Sequence, residues 1–349
     1  MSLRARSVFG SGPMPLIRAA VLVIAISYVT VLAPSASRAA DRPLIFVKTI
    51  GVGWDTDRMP WMRFVAFSFD GRQSASDGAT TPTDGSGKLS IWTFPGGKLV
   101  KQISVQPDEI SPDFRYVSDG HEISSVQTGK PVISFGSTRF MVTAFSRDSR
   151  YVAIAQPDKG AALRIRVMDL SSDRPISTVG SRGSASMALS SDGSTLAVGH
   201  WNLISFWSTH SGARRTILRG VGRYAQSLSF SPNGRLIAAG DDLGGLQIWD
   251  VRKRRRESAI HFPGGAVSAP AFSPDGRLVA VGVYGSGSVW LIDVRRGRLI
   301  DHQKVSDLGC GSVAFSPDGR YLITPSTGGL ITWPYDRGGT IRVFKVRHE

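Results

Sequence analysis

Residues that carry catalysis or bind metal come in recognisable company, and little of that company is present in this 349-residue chain. The six histidines stand singly. No Gly-x-Ser-x-Gly elbow, His-Glu-x-x-His pair or dinucleotide-binding glycine pattern occurs. Gly85-Ser86-Gly87-Lys88 looks like a phosphate loop, but Pro82 stands where its first glycine should be and a strand follows in place of a helix. Asp241-Asp242 has two readings, a calcium-binding pair or a solvated turn, and the turn is preferred. The lone Cys310 excludes an intrachain disulfide framework and a thiolate metal cluster. It reads as a packed residue at the start of a strand, with a reactive thiol as the alternative. No cofactor or metal is expected.

The elements that would have to position any site are strands. The stretch 271–294 reads Ala271-Phe272-Ser273-Pro274-Asp275-Gly276-Arg277, an apolar run, a Gly/Ser turn, and Ser288-Val289-Trp290-Leu291-Ile292-Asp293-Val294. Pro274 presets φ in the turn, Asp275 can bond back to its own backbone, and Gly276 can take positive φ. The continuous apolar run after Arg277 implies a strand buried on both faces.

This text recurs. Phe315-Ser316-Pro317-Asp318-Gly319-Arg320 and Phe230-Ser231-Pro232-Asn233-Gly234-Arg235 are near-copies, with weaker ones starting at Phe67, Ile110, Phe145 and Leu189. The anchors 67, 110, 145, 189, 230, 272 and 315 lie 43, 35, 44, 41, 42 and 43 residues apart. A second marker runs in step: Trp92, Met168, Trp207, Trp249, Ile292 and Trp333 precede the outer turns, with Ser124 in unit two. These bulky residues should sit on third strands and wedge between neighbours. In period and strand content the chain resembles bacterial tryptophan–aspartate (WD) repeat proteins. The resemblance implies an all-β, seven-bladed β-propeller of four-stranded antiparallel blades over residues 40–349. Only Trp249-Asp250 matches the name-giving dipeptide, and Gly199-His200 stands away from the family's usual Gly-His position. The buried His/Asp/Ser/Trp network of well-formed repeats is therefore expected to be missing. Two segments, 44–50 and 340–346, compete for the outer strand of blade seven, and the N-terminal one is preferred.

Residues 1–39 read as a signal peptide preceding the propeller. Arg18 leads an apolar run, 19–33, followed by Ser37-Arg38-Ala39 as a cleavage site. The run is shorter than the roughly 20 residues that span a bilayer, so no transmembrane span is expected in the mature chain. An uncleaved anchor is the alternative. The expected location is periplasmic or secreted.

Two surfaces stand out. Loops between second and third strands, and between blades, should share one face and collect Trp54, Trp61, Phe140, His200, Trp201, Tyr224, Phe262 and Tyr284; aromatics are enriched in interface cores. His200 and His261 fall on that same rim, where they read as ordinary loop residues. The opposite face should carry Arg214, Arg215, Arg252, Lys253, Arg254, Arg255, Arg256, Arg295, Arg296 and Arg298 as one basic patch, in keeping with the net charge of +15. Such a field attracts anionic lipid or polyanionic envelope polymers. Nucleic acid is disfavoured, because no aromatic interleaves the run. The expectation is an exported, non-enzymatic scaffold that binds a protein partner. The alternative is a periplasmic propeller enzyme or dehydrogenase-type subunit with chemistry in the central channel.

Overall fold

The computed structural model describes residues 29–30, 43–51, 64–79, 87–134, 142–158, 162–172, 174–182, 186–306, 309–326 and 340–347. Within them lie seven antiparallel sheets and no helix. Each sheet is one blade, and in blades one to six the strands run from the axis outward in chain order. Blade six shows the plan, with Val267–Phe272 innermost, then Leu278–Val283, Ser288–Asp293 and Arg298–Lys304. Blade four draws its two middle strands from one element, Thr195–Ser208, which turns at Asn202 (φ 58°) so that Ser205 Oγ comes within 3.5 Å of the Val198 carbonyl. A two-residue strand, Val29–Thr30, adds in parallel to the outer edge of blade five. The rest of the expected signal segment lies outside the described residues, as do residues 81–86 of the apparent phosphate loop.

Ring closure resolves the competition between the chain ends. Blade seven consists of Ala314–Phe315, Tyr321–Ser326, Thr340–Val346 and Leu44–Gly51, in that order outward. The N-terminal strand closes the ring as preferred, but 340–346 does not compete with it, because that segment is the third strand. Trp333, assigned to the third strand by its sequence position, lies outside the described residues and is not part of that strand, 340–346. Its place is taken by Phe344, which is registered opposite Leu322 and buried. Trp92, Met168, Trp249 and Ile292 are buried wedges as expected, and Trp207 is half-buried.

The inner turn has a hub that sequence motifs did not single out. In blade six Ser273 Oγ donates to Asp275 Oδ1 (2.6 Å) and accepts from the Leu278 amide (2.9 Å), while Asp275 Oδ1 accepts from the Arg277 amide (3.0 Å). The serine–acid bond repeats at Ser68–Asp70, Ser111–Asp113, Ser146–Asp148, Ser190–Asp192 and Ser316–Asp318, and as Ser231–Asn233 in blade five. All seven serines are buried. Hydrogen bonds to the ionised form hold the Asp70 and Asp192 carboxyls below the usual carboxylate range, through the Arg72 amide first at Asp70 and the Ser190 hydroxyl first at Asp192. Gly276 takes φ 72° at the turn's tight position; in blade two Phe114 adopts φ 57° there, and its ring is buried against Ile110 and Val117.

Packing between blades is apolar and complete. Seven clusters of buried residues each straddle one blade interface, from Ile91 against Phe114 between blades one and two to Ile50 against Phe67 across the seam. The turns also touch: the Phe69 amide donates to the Pro112 carbonyl (2.7 Å), and Ser191 Oγ donates to the Pro232 carbonyl (2.6 Å). Cys310 is buried between blades six and seven, with Sγ 3.0 Å from Thr324 Oγ1, and burial pushes its thiol up to about 12, where it is inert.

Ser273→Ala should strand the Leu278 amide in a closed turn and cost about 1–3 kcal/mol. A urea denaturation midpoint indistinguishable from wild type would show that the hydroxyl does not hold the turn.

Candidate interaction surfaces and central channel

The loop face is built by the hairpins between second and third strands. In blade four this hairpin lifts Trp201 into solvent, 60 % exposed, with Tyr224 registered opposite it and the rings edge to face at 6.1 Å. In blade six Tyr284 stands out at 40 % exposure. The hairpin of blade five, between them, carries Leu243 at 51 % exposure. Leu243 was not singled out because a lone leucine in an Asp/Gly loop carries no motif. Its place in the hairpin equivalent to that of Trp201 was the available signal. The loop is stapled by Asp241, whose Oδ1 accepts from the amides of Leu243 (2.9 Å) and Gly245 (2.6 Å). That places Asp241 as a turn former, and the described residues contain no cluster of three or more metal-type ligands.

Three of the expected aromatics, Trp54, Trp61 and Phe140, lie outside the described residues. Phe262 is corrected: it is fully buried and tilted against Trp290 at 5.3 Å, because the loop after blade five folds back over the core. His200 also turns inward. Its Nε2 lies 2.8 Å from Ser205 Oγ, which accepts from Trp207 Nε1 (2.9 Å). Blade four thus contains a short His–Ser–Trp chain, where sequence reasoning expected the polar network to be missing. In blade five the Trp249-Asp250 pair is also tied in, since Asp250 accepts from Arg235 Nε (2.9 Å) and the Lys253 amide (2.8 Å). Burial raises the Asp250 carboxyl's affinity for its proton, but these donors outweigh it and hold the group low.

On the opposite face all ten cationic side chains named from the sequence are exposed. They occupy the outer turns and the starts of the outer strands in blades four, five and six. Few are neutralised. Arg255 pairs with Glu257 (2.9 Å) and Arg296 with Asp293 (3.2 Å). Arg214 lies over the Trp207 ring at 5.8 Å. Arg254 adopts φ 52°, and at the same step of other outer turns stand Gly97, Gly129, Gly212 and Gly297, all with positive φ. A left-handed arginine costs on the order of 1 kcal/mol relative to the glycine its neighbours use. Blade three extends the rim with Arg174, exposed at the start of its outer strand.

The inner strands enclose a channel of about 380 Å³. Its lining mixes Phe145, Phe230, Phe272 and Phe315 with polar residues, Glu109, Arg147, Ser191, Ser229 and Ser231 among them. Aligning the repeats shows what precedes each anchor: Ala66, Glu109, Ala144, Ala188, Ser229, Ala271 and Ala314. Six positions are small and one is a carboxylate. Glu109 keeps some surface as a residue, but Oε2 is sealed from bulk water and has no hydrogen-bond partner. Its Oε1 accepts from the Phe145 amide (3.3 Å), and the Thr143 hydroxyl also bonds the carboxyl. Burial pushes the acid up to about 8, the Phe145 and Thr143 donors oppose the rise, and neighbouring Asp108 adds to it. The surface that remains does not reach Oε2. Sequence reading passed over Glu109, although its place in the ring of alanines was visible in the register.

Residues 218–250, from the outer strand of blade four to the third strand of blade five, match the family described as WD domain, G-beta repeat. The chain is also 35 % identical over 113 residues to WD repeat-containing protein SL1-17 of Schistosoma mansoni, an alignment covering 32 % of this chain and 36 % of the relative. It thus spans about a third of that relative's length. With seven four-stranded sheets around one axis, the chain is a seven-bladed β-propeller, and the repeat match lies across two of its blades.

Proposed function

We propose that this propeller is an exported binding module that docks a protein partner on the loop face of blades four to six. The observation that carries the reading is the row Trp201, Leu243 and Tyr284. Three successive blades hold a large apolar side chain in solvent at the same hairpin, which costs hydration free energy unless something covers it. WD-type propellers generally bind proteins, and an apolar row flanked by polar loops has the anatomy of an interface core. A photo-crosslinker placed at Leu243 should capture a partner from envelope extract that one placed at Arg298 does not. Trp201→Ala and Tyr284→Ala should each weaken that complex about tenfold or more. Binding at wild-type affinity by both variants would exclude this face.

Export rests on the apolar run and the Ser37-Arg38-Ala39 site in residues 1–39. Amino-terminal sequencing of the protein recovered from its native host should begin at Ala40. A mature chain retaining Arg18 and the run after it would overturn export by cleavage.

The strained Arg254 favours a second contact, between the arginine rim and an anionic envelope surface. A side chain held where other turns use glycine suggests that its charge is wanted there. Binding to phosphatidylglycerol vesicles should be strong at about 50 mM salt and largely lost at about 500 mM. Arg254→Gly should weaken that binding while raising stability by about 1 kcal/mol. Vesicle binding indifferent to salt or to this substitution would remove the rim from the function.

A further inference from the structure

The perimeter of the ring is divided in a way that neither the loop face nor the arginine rim uses. On the outer strands of blades seven, one and two the exposed large side chains are apolar: Phe46 and Val47, then Leu99 and Val100, then Val132. Phe46 and Val100 are each 51 % exposed. Among the described residues, the outer strands of blades three to six expose no large hydrophobic side chain and show Arg174, Arg214, Arg255 and Arg298 instead. The three apolar strands form one continuous edge. Lys48 of blade seven donates to the Pro95 carbonyl in the outer turn of blade one, and Lys101 of blade one donates to the Gln127 carbonyl in that of blade two (2.6 Å). A single exposed valine needs no explanation, but five apolar side chains on three successive blades make a patch, and patches mark contacts.

The charges beside the patch say what kind of contact. Segments 44–51, 94–103 and 126–134 hold these strands and the outer turns of blades one and two, and no acid occurs in them. Four lysines do: Lys48, Lys98, Lys101 and Lys130. Lys98 and Lys130 are exposed. Apolar side chains set among lysines suit the boundary of an anionic bilayer, where alkyl stems lie along apolar surface and ammonium groups meet phosphate. A second copy of the same edge would set lysine against lysine. Strand pairing across the edge is also guarded, because the closing strand of blade seven bulges between Phe46 and Lys48.

We propose that the edge formed by blades seven, one and two rests on an anionic lipid surface, with Phe46, Val47, Leu99, Val100 and Val132 in the boundary between headgroups and acyl chains. The insertion is shallow. Outer strands carry backbone N–H and C=O groups that need water or headgroups as partners, and these keep the edge out of the hydrocarbon. Blade one lies across the seven-membered ring from blades four and five, so a protein seated this way holds the arginine rim off the same bilayer. No residue of the loop face or the rim takes part, and the edge is tested apart from both.

Cys310 is buried and its thiol inert, so a single introduced cysteine takes an environment-sensitive dye selectively. With the dye on Val132→Cys in the whole protein, vesicles of phosphatidylglycerol and phosphatidylethanolamine should raise emission about twofold or more and shift it to the blue. The same dye on Thr178→Cys, exposed on the outer strand of blade three, should not respond. About half or more of the gain at position 132 should persist at about 500 mM salt, since apolar insertion is not screened. Adding Leu99→Asp and Val100→Asp to the Val132-labelled protein should remove the gain, while Arg254→Gly should leave it in place. No gain at position 132, an equal gain at 178, or a gain that survives the two aspartates would each overturn the lipid contact. So would loss of the gain in Arg254→Gly, which assigns it to the rim, or a gain on raising protein concentration without lipid, which assigns the edge to a second copy.

Discussion

One buried serine hydroxyl closes the inner hairpin of every blade, and the rest of the ring is built outward from it. The hydroxyl cannot be left unpaired inside the protein, so it fixes both the acid two residues on and the amide five residues on. That pins the turn and sets the register of the first two strands. Their alternation then decides which side chains meet the neighbouring blade and which face the axis. Because the same device is used seven times, the blades acquire a common geometry and can close into a circle.

Closure itself is an apolar matter. Each interface has its own buried cluster, and the wedge on the third strand fills the gap that widens with distance from the axis. Trp, Met, Ile and Phe all serve as wedges, since volume matters more there than chemistry. Polar contacts add local ties and not a repeated network. The His200–Ser205–Trp207 chain and the Arg235–Asp250 pair occur in neighbouring blades with different members. Such ties position individual loops, and blades four to six are where the exposed loop row and the arginine rim coincide.

The channel follows from the same geometry. Seven inner strands bring seven equivalent side chains around the axis, so a change in a single repeat places one unlike residue in a ring of like ones. Glu109 is that residue, and the donors that bond its carboxyl, the Phe145 amide and the Thr143 hydroxyl, come from blade three. An ordinary surface glutamate would titrate in the acid range; this one is moved by desolvation, which no local segment can supply.

The amino-acid sequence by itself determined the number of blades, their spacing, the inner turns and most of the wedges. Those features are local: Pro274, Asp275 and Gly276 act within one hairpin, and Trp249 sits at a fixed step from its own turn. It also located the cationic turns, because exposure follows from a run such as Arg254-Arg255-Arg256. Tertiary structure decided what depends on a neighbour far along the chain. Strand 340–346 became a third strand once Leu44–Gly51 lay outside it, which put Phe344 where Trp333 had been expected. Phe262 turned inward because Trp290 of the next blade offered a surface, while Leu243 stayed out. A periodic pattern records which face of a strand is buried, but what that face meets is settled when the ring closes.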